Sequence, residues 1–374
     1  MIYRHFDLGQ LIQPNKVIVI YGPRQVGKTT LLNDFLSHTT LRYKFDNGDD
    51  LRVREALGSQ RIATIQKYAE GNDILVVDEA QRIPNVGLGL KILVDNVPGI
   101  RVIVTGSASF ALSYKIGEPL VGRAYTHILY PIAQSELKHE LNEFELMAKR
   151  EEYLIYGSYP SVITAATLTQ KAEYLRNVVG SFLLKDVLEI EKVKNAKVLL
   201  DLLKLIAFQV GSEVSLTELG TQLGLDRKTV ARYLDLLEQS FILVNIRGYS
   251  RNLRSEVTKK SKYYFLDTGI RNAVISNFNT LSDRDDIGKL WENFLVSERL
   301  KHQQYTPIYS SNYFWRTWDQ KEIDWIEERD GGVFGWEFKY SPKKKSSSKS
   351  LFLKTYHNAQ IHTVHSENYF DFIT

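Results

Sequence analysis

The stretch "VIVIYGPRQVGKTTLLNDFL", residues 17–36, runs from an apolar segment, Val17 to Tyr21, through a turn, Gly22 to Gly27, into a helical pattern from Lys28. It is GxxxxGK(S/T) set between a strand and a helix, the context in which this pattern holds phosphate. The loop Gly22, Pro23, Arg24, Gln25, Val26, Gly27 wraps backbone amides around the phosphates, and the helix start at Lys28, Thr29 and Thr30 adds positive potential. Lys28 reaches the β- and γ-phosphates, and the Thr29 hydroxyl is a Mg²⁺ ligand. ATP with Mg²⁺ is the expected cofactor pair.

Working outward, "DILVVDEAQ" delivers Asp78 and Glu79 to the end of a second apolar run, the edge where ligands bind in open parallel sheets. Asp78 is expected to hold Mg²⁺ through water, and Glu79 to polarise the attacking water. A third run, "IRVIVTGSAS", ends in Thr105 and Ser107, small polar residues suited to sensing the γ-phosphate. Arg123 follows a glycine just before a further β-run, Thr126 to Tyr130, where an arginine finger would stabilise charge on the transferred phosphoryl; a plain surface arginine fits the same position.

These residues together, Gly22 to Thr29, Asp78-Glu79, Thr105-Gly106-Ser107 and Gly122-Arg123, resemble the AAA-type ATPases of bacteria and archaea that carry a C-terminal domain of unknown function. The resemblance implies an α/β P-loop NTPase domain with a parallel sheet of strand order 5-1-4-3-2. It also implies nucleotide held between subunits of a ring, a hexamer or similar, with Arg123 acting on the neighbour's nucleotide.

The chain's 374 residues exceed one compact core, and four parts are expected: an ATPase domain at 1–150, a helical linker or lid at 151–207, a winged helix at 208–266 and a terminal α/β domain at 267–374. A hydrophobic fraction of 43% with 25% charged residues excludes extended disorder and fibrous repeats. With no cysteine, and eight histidines lacking HxxxH or HxH spacing, any metal must be held mainly by oxygen. The N-terminus "MIYRHFDLGQ" has no secretory apolar stretch and no run of eighteen apolar residues occurs, so a cytoplasmic protein without a membrane partner is expected. A net charge of +4 permits nucleic acid without arguing for it.

Charge location is more telling. In "SLTELGTQLGLDRKTVARYLDLLEQSFILVNI", Ser215 and Glu218 read as a capping box, Gly224 as a turn, and Asp226 as the cap of a second helix buried through Val230, Leu234 and Leu237. Its other side carries Arg227, Lys228, Thr229, Arg232 and Tyr233, residue types that contact phosphates and base edges. Strands "FILVNI" and "KYYFLD" flank a wing containing Arg251 and Arg254, and residues 247–262 hold six basic residues against one acid. DNA is the expected partner; a purely structural or dimerising winged helix is the alternative. Upstream, Asp186 reads as a helix cap or ion-pair partner.

Near the C-terminus, "GKLWENFLVSERLKH" is an amphipathic helix with Leu290, Trp291, Phe294 and Leu295 inward and Glu292 at its flank. The hairpin "EIDWIEERDGGVFGWEFKY", residues 322–340, turns at Gly331-Gly332, with Ile323 and Trp325 on one face and Asp324 on the other, matched by Glu337 and Lys339 on the second strand. Glu292, Asp324 and Glu337-Phe338-Lys339 resemble the PD-(D/E)XK nuclease constellation. That resemblance implies Asp324 and Glu337 sharing Mg²⁺, Lys339 positioning a water, and Glu292 completing the cation's shell. The basic loop "SPKKKSSSKS" reads as solvated. Two readings of the whole stand: a ring-forming ATPase that binds DNA and cuts it, or an ATP-controlled assembly switch whose terminal domain is an inactive scaffold.

Overall fold

The computed structural model describes residues 2–107, 119–182, 196–250, 261–317, 319–342 and 349–374. Asp186, Arg251, Arg254, most of the wing and residues 343–348 of the basic loop lie outside the described residues.

Five strands build the first sheet: β1 (Lys16–Tyr21), β2 (Tyr43–Asn47), β3 (Ile74–Asp78), β4 (Arg101–Gly106) and β5 (Ala124–Ile128). Their order is β2-β3-β4-β1-β5, every pairing parallel, which is the expected 5-1-4-3-2 arrangement. Val17 to Tyr21 and Ile74 to Asp78 are buried without a break because helices cover both faces of a parallel sheet. The sequence reading assigns no strand at β2, and the reason is visible. Tyr43 and Phe45 point outward while Lys44 and Asp46 turn toward Tyr68, so the usual polarity is inverted at this edge. The fifth strand also starts two residues earlier than the apolar run suggests.

Gly22 closes the end of β1 at φ 154°, where an added Cβ would lie 2.1 Å from the Leu129 carbonyl oxygen. Gly22→Ala is therefore expected to strain the loop by about 1–3 kcal/mol. Titration of the variant with ATP should read that strain as roughly tenfold weaker binding.

The second sheet joins β6 (Leu243–Gly248), β7 (Ser261–Phe265), β8 (Ser311–Arg316), β9 (Glu322–Arg329), β10 (Gly332–Phe338) and β11 (Ala359–Val364) in the order β11-β10-β9-β8-β6-β7. The β6–β7 hairpin thus continues into the terminal sheet through a short parallel pairing of β6 with β8, across the boundary expected at 266/267. The helix Ile287–Tyr305 covers this sheet, burying Leu290, Trp291, Phe294, Leu295 and Val296, each contributing about 1.5–3 kcal/mol relative to exposure. One apolar cluster runs unbroken from Ile18 and Ile20 through Tyr153, Leu154 and Leu199 to Trp291 and Trp325.

Two details of the hairpin depart from the sequence reading. Asp330 and Gly331, at φ 52° and 72°, make the turn, and Gly332 already belongs to β10, because two consecutive left-handed residues match the twist of the strands. Strand β9 also carries an irregularity between its pairings with Tyr313 and Trp315. Ile323 consequently packs with Ile326 in one cluster, whereas Trp325 packs in another with Trp336 and Phe338, so the expected shared face of Ile323 and Trp325 does not form.

Candidate functional site

The phosphate loop lies where β1 ends and the helix Lys28–His38 begins, with Gln25 and Gly27 left-handed at φ 62° and 95°. Lys28, only 6% exposed, donates from Nζ to the Gly22 and Pro23 carbonyl oxygens at 2.8 and 2.7 Å. The Thr29 hydroxyl donates to Asp78 Oδ2 at 2.7 Å, and the buried Thr105 hydroxyl donates to Asp78 Oδ1. A hydroxyl and a carboxylate held this close are an all-oxygen pair that suits Mg²⁺, so Thr29 and Asp78 fit the expected ion. Thr105 thus contacts the Asp78 carboxylate, while Ser107, 1% exposed, accepts from Gln81 Nε2 at 3.3 Å. The same Gln81 amide donates to Glu79 Oε2. Gln81, which the sequence reading missed, links Glu79 to Ser107; its only signal in the sequence is its place two residues beyond Glu79.

Arg123 occupies the opposite end of the sheet. Its carbonyl accepts from Val17 N at 2.9 Å, and its Nε donates to Asp95 Oδ1 at 2.7 Å. The phosphate loop begins only after Tyr21, about 13 Å further along β1. Arg123 therefore does not join the site of its own chain.

Other contacts tie the loop to the rest of the molecule. Arg4 donates to the Val26 and Tyr130 carbonyl oxygens, to Glu136 and to the Tyr305 hydroxyl at the end of the long helix. Gln25 accepts from the Tyr174 hydroxyl at 2.7 Å.

In the middle of the chain, Ser215 accepts from Glu218 N at 3.3 Å, but the Glu218 carboxylate accepts from Gln222, so the reciprocal half of the capping box is replaced. Gly224, at φ 65°, links this helix to the next, Arg227–Gln239, whose cap Asp226 accepts from Lys228 N, Thr229 N and the Thr229 hydroxyl. Arg227, Lys228 and Arg232 are exposed. Tyr233 is buried, a correction to its expected exposure: it packs in the core with Arg232 over its ring.

The terminal domain assembles an acidic centre. Glu292 from the long helix and Glu322 and Asp324 from β9 each offer a carboxylate oxygen, all within 4.8 Å of one another. Lys262 of β7 enters this group fully buried, its Nζ 3.1 Å from Glu292 Oε1 and bonded to Glu322 Oε1. The Tyr264 hydroxyl donates to the same Glu292 oxygen at 2.6 Å. Asp324 Oδ2 accepts from Phe338 N at 2.7 Å. Glu337, 4% exposed, pairs through Oε1 with Lys339 at 2.8 Å, while its Oε2 has no hydrogen-bond partner among the described residues. Of the expected metal set, Glu292 and Asp324 come together with Glu322, and Glu337 stands outside that triad, bound to Lys339.

Electrostatics follow from this crowding. Burial first, and the Glu292 carboxylate next, push the Asp324 carboxyl well above the usual carboxylate range. Burial alone would lower the Lys262 ammonium, but Glu292, Glu322 and Asp324 outweigh it and hold its pKa above the ordinary lysine value. Lys339 is raised likewise, its bond to Glu337 and the Asp324 charge outweighing burial. Sequence spacing held a signal for the missed residues: Glu322 is two positions from Asp324 and Lys262 two from Tyr264, so each shares a strand face with its neighbour.

Residues 14–138 match a family model described as AAA domain. The N-terminal third is an AAA-type, P-loop ATPase-like domain. Residues 147–281 and 287–369 match two further models, described as Domain of unknown function (DUF8612) and Domain of unknown function (DUF4143). An uncharacterized protein of Mycobacterium tuberculosis is 25% identical over 327 residues, covering 86% of this chain and 70% of the relative. One from Haemophilus influenzae is 27% identical over 356 residues, covering 88% and 84%. One from Methanocaldococcus jannaschii is 24% identical over 339 residues, covering 86% and 74%. Among solved structures, a Signal Transduction ATPase with Numerous Domains from Pyrococcus horikoshii overlays at a TM-score of 0.28 and 12% identity, over 76% of this chain and 43% of that one. A katanin structure overlays at 0.25 and 14%, over 60% and 71%. Superpositions this loose carry no argument about assembly. Among the described residues no helix is long and apolar enough to cross a membrane.

Proposed function

We propose that this protein hydrolyses ATP at a contact between copies of itself and engages DNA through its middle segment. The observation that carries the reading is the convergence of Lys28, Thr29, Asp78, Glu79, Thr105 and Ser107 at one end of the parallel sheet, linked through Asp78 and Gln81. Glu79 polarises the attacking water, Lys28 neutralises phosphate charge, and Thr29 and Asp78 would hold Mg²⁺, which would supply further positive charge against the phosphates. The position of Arg123 at the far end of its own sheet supports a finger acting on a neighbour's nucleotide in a closed ring.

DNA binding is assigned to a winged helix made of the helix pair 216–239 and the β6–β7 hairpin, with Arg227, Lys228 and Arg232 facing phosphates and base edges. Thr229 contributes less, its hydroxyl being committed to Asp226. In Arg227→Ala/Lys228→Ala, duplex affinity should fall, and the slope of log affinity against log salt should shrink by about 1–2, as measured by fluorescence anisotropy at several salt concentrations.

For the terminal domain, the approach of Glu292 to Asp324 supports a PD-(D/E)XK-like centre in which Asp324 would hold Mg²⁺; Glu337 and Lys339, paired with each other outside that triad, would join it as the second ligand and the water-orienting group. The inactive-scaffold reading draws support from the lysine already inside that centre. ATP turnover with and without duplex DNA, run beside plasmid cleavage in Mg²⁺ or Mn²⁺, tests the whole. DNA-stimulated turnover supports the reading. Turnover indifferent to DNA, with neither binding nor cutting, leaves the ATP-controlled assembly switch.

A further inference from the structure

The Lys262 side chain is 1% exposed, and its ammonium lies between two carboxylates that come from different elements, Glu292 of the long helix and Glu322 of β9. An ammonium this deeply buried persists only where its charge is matched and its hydrogens are satisfied. Asp324 lies in the same group, and the Tyr264 hydroxyl donates to the Glu292 oxygen that faces Lys262. Arg316 stands 3.5 Å from the second oxygen of Glu322.

On the neighbouring strand β10 and just beyond it, Lys339 takes one oxygen of Glu337 and leaves the second, buried, without a partner among the described residues. Such an orphaned acceptor in a 4% exposed carboxylate marks coordination capacity that the two lysines do not use. Three carboxylate oxygens within 4.8 Å of one another are spaced for one hard divalent cation, yet the lysine ammonium stands among them. An ammonium bonded to Glu292 and Glu322 and a divalent cation drawing on the same two carboxylates compete for one set of oxygens.

We propose that the Lys262 ammonium is the resident cation of the Glu292, Glu322 and Asp324 centre, and that a divalent cation enters only when Lys262 is withdrawn. The inference rests on reading these carboxylates as a cation site. It makes β7 part of the centre's control. That strand closes the sheet, paired with β6 on one side and held on the other by backbone bonds from Gly211 and Val214, and it follows the proposed DNA-binding helices in sequence.

The test is Mn²⁺ binding to the nucleotide-free full chain, followed by the loss of free-ion electron paramagnetic resonance signal. Wild type and Lys262→Arg should bind no Mn²⁺ that depends on Glu292. Lys262→Met should gain one Mn²⁺ per chain, and Lys262→Met/Glu292→Gln should lose it again. Should Lys262→Met fold only with Mn²⁺ present, circular dichroism will report the same gain as metal-dependent folding. Mn²⁺ bound by wild type and lost in Glu292→Gln overturns the lysine's role while leaving the cation site standing. A folded Lys262→Met that binds no Mn²⁺, or one that stays unfolded in its presence, overturns the cation site itself.

Discussion

Glu79→Gln is expected to bind ATP as wild type does and to turn it over about 10²- to 10⁴-fold more slowly, the range a positioned general base contributes. Its carboxylate accepts from the Gln81 amide, which also donates to Ser107, so the substitution keeps the shape of the site and removes only the carboxylate charge. Lys28→Ala should instead lose nucleotide binding, because its ammonium lies inside the loop against Gly22 and Pro23. Arg123→Ala should retain affinity and lose roughly 10³- to 10⁵-fold in rate, the contribution of an arginine finger. Mixing Arg123→Ala with Glu79→Gln creates interfaces that pair an intact base with an intact finger, and part of the rate should return. Steady-state phosphate release measures all four. Co-assembled variants that stay inactive would remove the shared interface, and equal turnover in Glu79→Gln and wild type would remove Glu79 from its role.

Glu327→Ala is expected to cost about 3–5 kcal/mol of stability, the penalty of leaving a buried charge unpaired. Glu327 is fully buried and accepts from Arg299 through both oxygens, at 2.6 and 2.9 Å, and from Gln303 and Trp325 Nε1. Arg299 in turn donates to the Phe372 carbonyl oxygen at 2.6 Å, clamping the C-terminal helix onto the long one. Urea unfolding should show the loss, and Arg299→Met/Glu327→Leu should recover part of it, since an apolar pair of similar volume removes both buried charges while Arg329, partly exposed, still loses its 3.1 Å bond to Glu327 Oε2. The pair also sets an acid limit. Burial raises the Glu327 carboxyl, but the Arg299 bonds and charge outweigh it, so its folded pKa lies below the ordinary 4.5. Its contribution is fully present above that ordinary value and disappears as pH falls through the lower, folded one.

Much of the ATPase-like domain was legible in the chain itself. A phosphate loop is a contiguous run whose glycines, lysine and threonine act through local backbone geometry, and Val17 to Tyr21 and Ile74 to Asp78 announce buried parallel strands because no face of them meets water. Strand β2 escaped because its outward aromatics and inward Lys44 and Asp46 reverse the pattern a single sequence can read. The Ser215 and Asp226 caps were readable for the same local reason, whereas the burial of Tyr233 depended on what packs around it.

The acidic centre marks the division most clearly. Sequence spacing supplied Glu292, Asp324, Glu337 and Lys339, because a helix flank and a two-residue repeat are properties of neighbouring positions. Only the tertiary structure brought Lys262 from β7 and Glu322 into contact with Glu292, thirty residues from each. It did so by running one sheet through both β7 and β9. Local pattern fixes what each residue can offer; the pairing of distant strands decides which charges must share one buried space, and so whether a carboxylate meets an ammonium or a metal.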